Sequence, residues 1–217
     1  MTVSTHRLEP GPSGLAYRAY TYLADRVISG SLAEGAYLTE AEIADALGMS
    51  RTPVREAFLT AETYGLLRLL PKKGAIVTTV TAADLDTLMG ARIMLETEAV
   101  RLIARSSGGG GLGPALAEIL DAQAAAAASK DVRTFADADY RFHARIVAES
   151  GNAIIEGFYR QLGPRLQRFV HQVAARDVDV LDRIVEEHER LLSLTSDQDS
   201  HDDFEVALRE HVSDNRR

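Results

Sequence analysis

The chain has 217 residues and no cysteine, with 46% hydrophobic residues and a net charge of −8. This length suits two domains with separate small cores in an ordinary globular composition. No run reaches the roughly 18 apolar residues of a membrane span, and the first residues lack a signal-peptide core, so a cytoplasmic protein without membrane attachment is expected. Without thiols, disulfides, thiolate metal sites and cysteine nucleophiles are excluded, and any metal must sit on His, Asp or Glu.

From Gly14, the apolar residues Leu15, Ala19, Leu23, Val27 and Ile28 recur at spacings of three and four as far as Gly30, which predicts a first helix. Thr39-Glu40-Ala41-Glu42 has the form of a capping box, in which hydroxyl and carboxylate satisfy free amides at a helix start; a short second helix follows, ending at Gly48. Ser50 or Thr52 can cap a third helix, with Pro53 in the first turn, where a missing N–H costs little. Two helices joined through a glycine-containing turn make a helix-turn-helix. On the third helix Val54, Ala57 and Ala61 share one side, which leaves Arg51 and Arg55 free to point away from the core. Two β-prone runs, Leu66–Leu70 and Ala75–Val80, then flank Pro71-Lys72-Lys73-Gly74 and predict a hairpin wing.

Charge supports this division of the chain. Residues 1–80 hold eight basic and eight acidic side chains, whereas residues 81–217 hold sixteen against twenty-four, so the acidity belongs to the second part. Between residues 48 and 80 five basic side chains face two acidic ones, a local positive patch of the kind that marks a nucleic-acid footprint. An arginine fork can donate twice to guanine O6 and N7 in the major groove, while hydroxyls and lysines suit phosphate. Two arginines alone are still more simply read as a solvated helix face.

The run Gly35-x-x-Leu38-x-Glu40-x-x-Ile43-Ala44-x-x-Leu47-Gly48-Met49-Ser50-Arg51-Thr52-Pro53-Val54-Arg55-Glu56-Ala57, followed by Tyr64-Gly65-Leu66-Leu67 and Lys73-Gly74-Ala75-Ile76-Val77, closely resembles the GntR family of winged helix-turn-helix regulators. The resemblance implies DNA contacts from Ser50, Arg51, Thr52 and Arg55, and from the wing at Lys72, Lys73 and Gly74. Two departures stand out. Some relatives carry a DNA-contacting arginine where this chain has Ala41, and the family's usual leucine is Ala61 here, which leaves local packing either looser or filled by Phe58 and Tyr64.

From Thr81 onward the period is helical: about 84–106, 113–129, 131–150, 152–175, 178–196 and 202–214, with Gly108–Gly111, closed by Gly113-Pro114, as a flexible connection. Asp139 and His143 are four residues apart, on one face with Phe142 and Ile146; His188 lies on the stripe of Ile184, Leu191 and Leu192, and His211 beside Leu208 and Val212. A buried carboxylate needs a cation or several donors, so these residues are either a hydrogen-bonded polar core or a metal site. Arg92 shares a stripe with Leu88, Leu95 and Ala99; it either meets an incoming carboxylate or pairs with Glu96.

Arg92-x-x-Leu95-Glu96-x-x-Ala99, Asp139-x-x-Phe142-His143, Glu149-Ser150-Gly151-Asn152, Glu187-His188-x-x-Leu191 and His211 resemble the FCD ligand-binding domain of the FadR branch of the GntR family, and six helices suggest its VanR-like subgroup. The fold class is therefore mainly α: a winged helix-turn-helix over residues 1–80, then an all-helical FCD-type bundle of about six helices over residues 81–217. The resemblance implies that Asp139, His143, His188 and His211 ligate a divalent metal, Zn²⁺ first and Ni²⁺, Mn²⁺ or Fe²⁺ otherwise. It implies a homodimer on a two-fold symmetric double-stranded DNA operator, repressing a catabolic operon and answering to a small organic acid, which Arg92 would meet if it faces the cavity rather than pairing with Glu96. Two other possibilities stay open: the metal is itself the signal, or the helical domain is a metal-dependent hydrolase. Against the second, Glu187 follows directly before His188 and points roughly 100° away around the helix, so no general base is obvious.

Overall fold

The computed structural model describes residues 14–106, 112–195 and 201–215. The connection expected at Gly108–Gly111 lies outside these residues. The chain divides into two units, residues 1–79 and 80–217.

In the first unit, α1 (Gly14–Ile28), α2 (Glu40–Leu47) and α3 (Arg51–Thr63) pack beside a small sheet of β1 (Tyr37–Leu38), β2 (Leu67–Leu70) and β3 (Gly74–Val77). The capping box forms: Glu42 N–H donates to Thr39 Oγ1 at 3.2 Å, and Thr39 N–H donates to Glu42 Oε2 at 3.0 Å. Gly48 closes α2 with φ of 61°, a left-handed cap open to glycine without strain. Ser50, not Thr52, is the N-cap of α3, and its hydroxyl makes no capping bond. The core gathers Leu23, Val27, Ile43, Val54, Phe58, Leu66 and Val77. Ala61 is fully buried with Phe58 in this core, while the Tyr64 ring turns to Tyr20, 5.5 Å between centroids.

The sheet has one strand more than the sequence suggested. β1 pairs antiparallel with β3, whose other edge pairs with β2, in the order β1-β3-β2. Two residues carry no alternation for a sequence to display, and Tyr37–Leu38 is recognisable only through its partner strand.

Six described helices build the second unit: α4 (Ala82–Arg105), α5 (Leu112–Ala128), α6 (Val132–Glu149), α7 (Ala153–Arg176), α8 (Val180–Thr195) and α9 (His201–Asp214). Gly113 and Pro114 belong to the first turn of α5 rather than to the connection before it. The break between α6 and α7 is where Glu149-Ser150-Gly151-Asn152 placed it: Gly151 takes a φ of 66°, and Asn152 Oδ1 accepts from Ile154 and Ile155 N–H. α6 packs against α4, α5 and α7, while α8 lies against α5 and α9. At Gly163 an added Cβ would stand 2.8 Å from the Tyr140 ring, so α6 and α7 meet through the absence of a side chain. Against this apolar background a line of buried polar side chains converges inside the unit: Arg92, Glu96, Gln123, Asp139, His143, His188 and His211.

Candidate metal centre and nucleic-acid interface

Asp139 and His143 face inward because they are one turn apart on the buried stripe of α6. α8 brings His188 and α9 brings His211. One ligand atom from each of the four lies within 4.8 Å of the others, and all four side chains are buried. The sequence-expected ligand set is thus assembled in one place. His143 Nε2 is 3.0 Å from His188 Nε2, and His188 Nε2 is 3.4 Å from Asp139 Oδ1. The His188 ring stacks flat on Phe142, 4.5 Å between centroids with 1° between planes, which fixes its orientation.

A second layer aims the three imidazoles. His143 Nδ1–H donates to Glu96 Oε2 at 2.7 Å and His211 Nδ1–H to Glu187 Oε2 at 2.7 Å, while His188 Nδ1 faces Gln123 Oε1 at 2.7 Å. With each Nδ1 turned outward to an acceptor, the Nε2 lone pairs turn inward together. This is how second-layer partners prepare metal-ligating histidines. Three lone pairs and a carboxylate facing one another repel unless a positive charge lies between them, so the donor set fits a divalent cation. Burial pushes the Asp139 carboxyl above its ordinary range, with Arg92 and His211 opposing, and burial also holds His143 and His188 well below the usual imidazole value. Neutral imidazoles are the form that binds metal.

Arg92 answers to both sequence expectations in part. Its Nε pairs with Glu96 Oε1 at 3.0 Å, the ion pair foreseen, and its Nη2 lies 3.3 Å from His211 Nε2, at the edge of the cluster. Burial opposes its charge, yet the fields of Glu96, Tyr159 and Asp139 carry it above its ordinary value. Glu96 also accepts from the Tyr159 hydroxyl at 2.7 Å; burial pushes its carboxyl up while Arg92 pulls it down. Glu187 is engaged through both oxygens, Oε2 with His211 Nδ1 at 2.7 Å and Oε1 with Arg183 at 3.0 Å, and so serves the outer side of His211. Gln123, Tyr159 and Asn215, which donates to Glu187 at 3.3 Å, complete the second layer and were not singled out from the sequence. For Gln123 a signal existed: it is the polar position on the buried stripe of Leu116, Ile119 and Leu120.

In the first unit a groove of about 580 Å³ runs between α3 and the wing, and Ala41, Arg51, Arg55, Lys72, Lys73 and Gly74 all line it. Ser50 and Thr52 are exposed at the start of α3 but do not line the groove. The wing is braced from both sides: Glu62 Oε1 accepts Leu69 N–H at 2.8 Å, and the Tyr37 hydroxyl donates to the Lys73 carbonyl. Gly74 has φ of 112°, and an added Cβ would lie 2.2 Å from the Leu38 carbonyl oxygen, so glycine is a packing requirement here.

Residues 15–77 match the family described as "Bacterial regulatory proteins, gntR family", and residues 87–214 match the FCD domain. An "Uncharacterized HTH-type transcriptional regulator in the TAR-I ttuE-ttuC' intergenic region" of Agrobacterium vitis is 34% identical over 143 residues, covering 63% of this chain and 81% of its own length. A "Probable D-xylose utilization operon transcriptional repressor" of Paenarthrobacter nicotinovorans is 30% identical over 202 residues, covering 92% of this chain and 86% of its own. Among solved structures, E. coli McbR/YncC superposes with a TM-score of 0.79 at 25% identity, over 94% of this chain and 96% of that one.

Proposed function

Because this chain belongs to the GntR family of bacterial transcription regulators and carries that family's FCD domain, we propose that it is a metal-containing repressor of a catabolic operon. It acts in the cytoplasm as a homodimer on a two-fold symmetric operator, and a small organic acid bound in the helical unit controls it. Family and relatives are regulators, not enzymes.

The observation that carries the reading is the convergence of Asp139, His143, His188 and His211 on one buried point. Nitrogen and oxygen donors without sulfur suit Zn²⁺ first, with Ni²⁺, Mn²⁺ and Fe²⁺ sharing the preference. A bound divalent ion would be held by these four residues, and it would supply positive charge and a Lewis-acidic anchor for a carboxylate. Arg92 is held by Glu96 through Nε, so its outer nitrogens are the groups that would orient such a carboxylate at the cluster edge. The relative named for a D-xylose operon supports a catabolic target.

On the DNA side, Arg51 and Arg55 are the base readers, Ser50 and Thr52 the phosphate contacts at the helix start, and Lys72 and Lys73 the wing contacts, with Gly74 letting the wing turn. One such head has limited specificity, and pairing two on a palindrome supplies the rest. The acid then acts by population shift, favouring dimers that do not fit the operator.

The test joins three measurements on the purified protein: metal content, footprinting on DNA flanking its own gene, and a thermal-shift screen of organic acids followed by operator release. About one divalent ion per chain is expected, falling sharply in His188→Ala. A chelated protein that binds operator and releases it with the same acid at the same concentration would remove the metal from the signal.

A further inference from the structure

The three partners that aim the imidazoles differ in kind. Glu96 and Glu187 are carboxylates, which accept hydrogen bonds and fix the proton of His143 and of His211 on Nδ1. Gln123 is a carboxamide, fully buried on α5. A half-turn of its amide presents either oxygen, which accepts, or nitrogen, which donates.

That difference falls on the histidine where it has most effect. His143 and His188 meet Nε2 to Nε2 at 3.0 Å with both rings fully buried. In the neutral form that binds metal, each carries one ring proton. The proton of His143 is committed to Glu96, so its Nε2 is a bare lone pair. With Gln123 offering oxygen, as observed, His188 also keeps its proton on Nδ1 and presents a second bare lone pair, an arrangement that suits an ion between the rings. Without an ion the two lone pairs oppose one another at hydrogen-bond distance. In the observed orientation the Gln123 Nε2 has no hydrogen-bond partner among the described residues although it is buried, a cost of about 1–3 kcal/mol for such a donor.

Both conflicts are relieved by one movement. We propose that Gln123 is a positioning residue that turns its amide between the empty and loaded states of the cluster, moving the His188 proton from Nε2 to Nδ1 as an ion enters. In the empty state Gln123 Nε2–H donates to His188 Nδ1, and His188 Nε2–H points at His143 Nε2 and Asp139 Oδ1, 3.0 and 3.4 Å away. The unpaired amide donor gains a partner, and one facing lone pair becomes a donor. In the loaded state the amide turns back and His188 Nε2 is bare. No net proton is gained or lost by His188 in the exchange. The lone pair of His211 needs no such device, because Arg92 Nη2 already caps it at 3.3 Å.

The inference rests on the metal reading above, and the experiment separates the two. Two-bond ¹H–¹⁵N correlation spectra of the full-length chain report which ring nitrogen of each histidine carries the proton, without and with one equivalent of Zn²⁺. The expected result is His188 protonated on Nε2 when empty and on Nδ1 when loaded, with His143 and His211 protonated on Nδ1 throughout. Gln123→Leu, which can neither accept nor donate, should bind Zn²⁺ 10- to 100-fold more weakly in competition with a chelator. Gln123→Glu, whose carboxylate only accepts while ionised, should then keep His188 on Nδ1 in the empty protein and lower its thermal midpoint more than that of the loaded protein. A wild type that binds no Zn²⁺ sinks the metal reading and this inference with it. A wild type that binds Zn²⁺ while the His188 proton stays on Nδ1 in both states overturns the role of Gln123 alone, as does undiminished Zn²⁺ affinity in Gln123→Leu.

Discussion

Arg92 and Glu96 stand one turn apart on α4 and form a charge pair closed off from solvent, with Nε 3.0 Å from Oε1. Removing one partner of such a pair strands the other. Glu96→Ala leaves Arg92 buried without its carboxylate and His143 Nδ1–H without an acceptor, so the loss in urea unfolding should be about 3–5 kcal/mol. A loss below about 1 kcal/mol, the range of exposed pairs, would show that water reaches the pair and that it does not organise the cluster.

Stability of the metal-free protein should depend on pH through the buried imidazoles. Burial lowers His143 and His188 well below 6.5. Between the lowered values and about 6.5 the unfolded chain binds protons that the folded chain refuses, so stability falls as pH drops through this window and levels off above it. Each imidazole contributes a slope of up to about 1.4 kcal/mol per pH unit. Asp139 and Glu96, raised by burial, act with the opposite sign in their own range. The cleanest measurement is therefore the difference between wild type and His188→Gln: wild type should lose stability relative to the variant as pH falls below 6.5. A difference independent of pH would contradict the buried neutral state of His188.

The two sides of the groove in the first unit should separate in DNA-binding assays. Arg55→Ala should relax base preference at one position, by about 1–3 kcal/mol for a bidentate contact. Lys73→Ala should weaken binding to all sequences alike and flatten the salt dependence by about 0.9 per lost phosphate contact. Footprints and salt slopes unchanged in both would move the reading face away from this groove.

Gly74→Ala tests the wing without touching a charge. Its φ of 112° and the 2.2 Å approach of a Cβ to the Leu38 carbonyl both oppose any side chain. The first unit should lose about 1–3 kcal/mol for the backbone strain alone, and operator affinity should fall with it as β3 draws away from β1. Wild-type melting and affinity together would show that the wing yields freely.

Much of this molecule was legible because its signals are local. The capping box at Thr39 and Glu42, the Gly48 cap and the four-residue spacing of Asp139 and His143 are fixed by short-range geometry, which a sequence displays directly. Gln123 was overlooked because it adjoins a run of alanines and acquires its role from His188, 65 residues away on another helix. Glu187 looked misdirected beside His188, and it is indeed turned away from the cluster centre, toward a histidine on α9. Gly113 and Pro114 read as the end of a glycine-rich link, yet proline in a first turn is as compatible with a helix start, and tertiary packing decides between them.

All six described helices of residues 80–217 send a side chain into one network: Glu96 from α4, Gln123 from α5, His143 from α6, Tyr159 from α7, His188 from α8 and His211 from α9. An ion held at its centre would bind the folded chain alone, so a hundredfold excess over its dissociation constant would add about 2.7 kcal/mol to folding. The fraction of molecules open to proteases falls by the same factor when opening is fast. Metal supply would then govern how many copies of the regulator a cell retains.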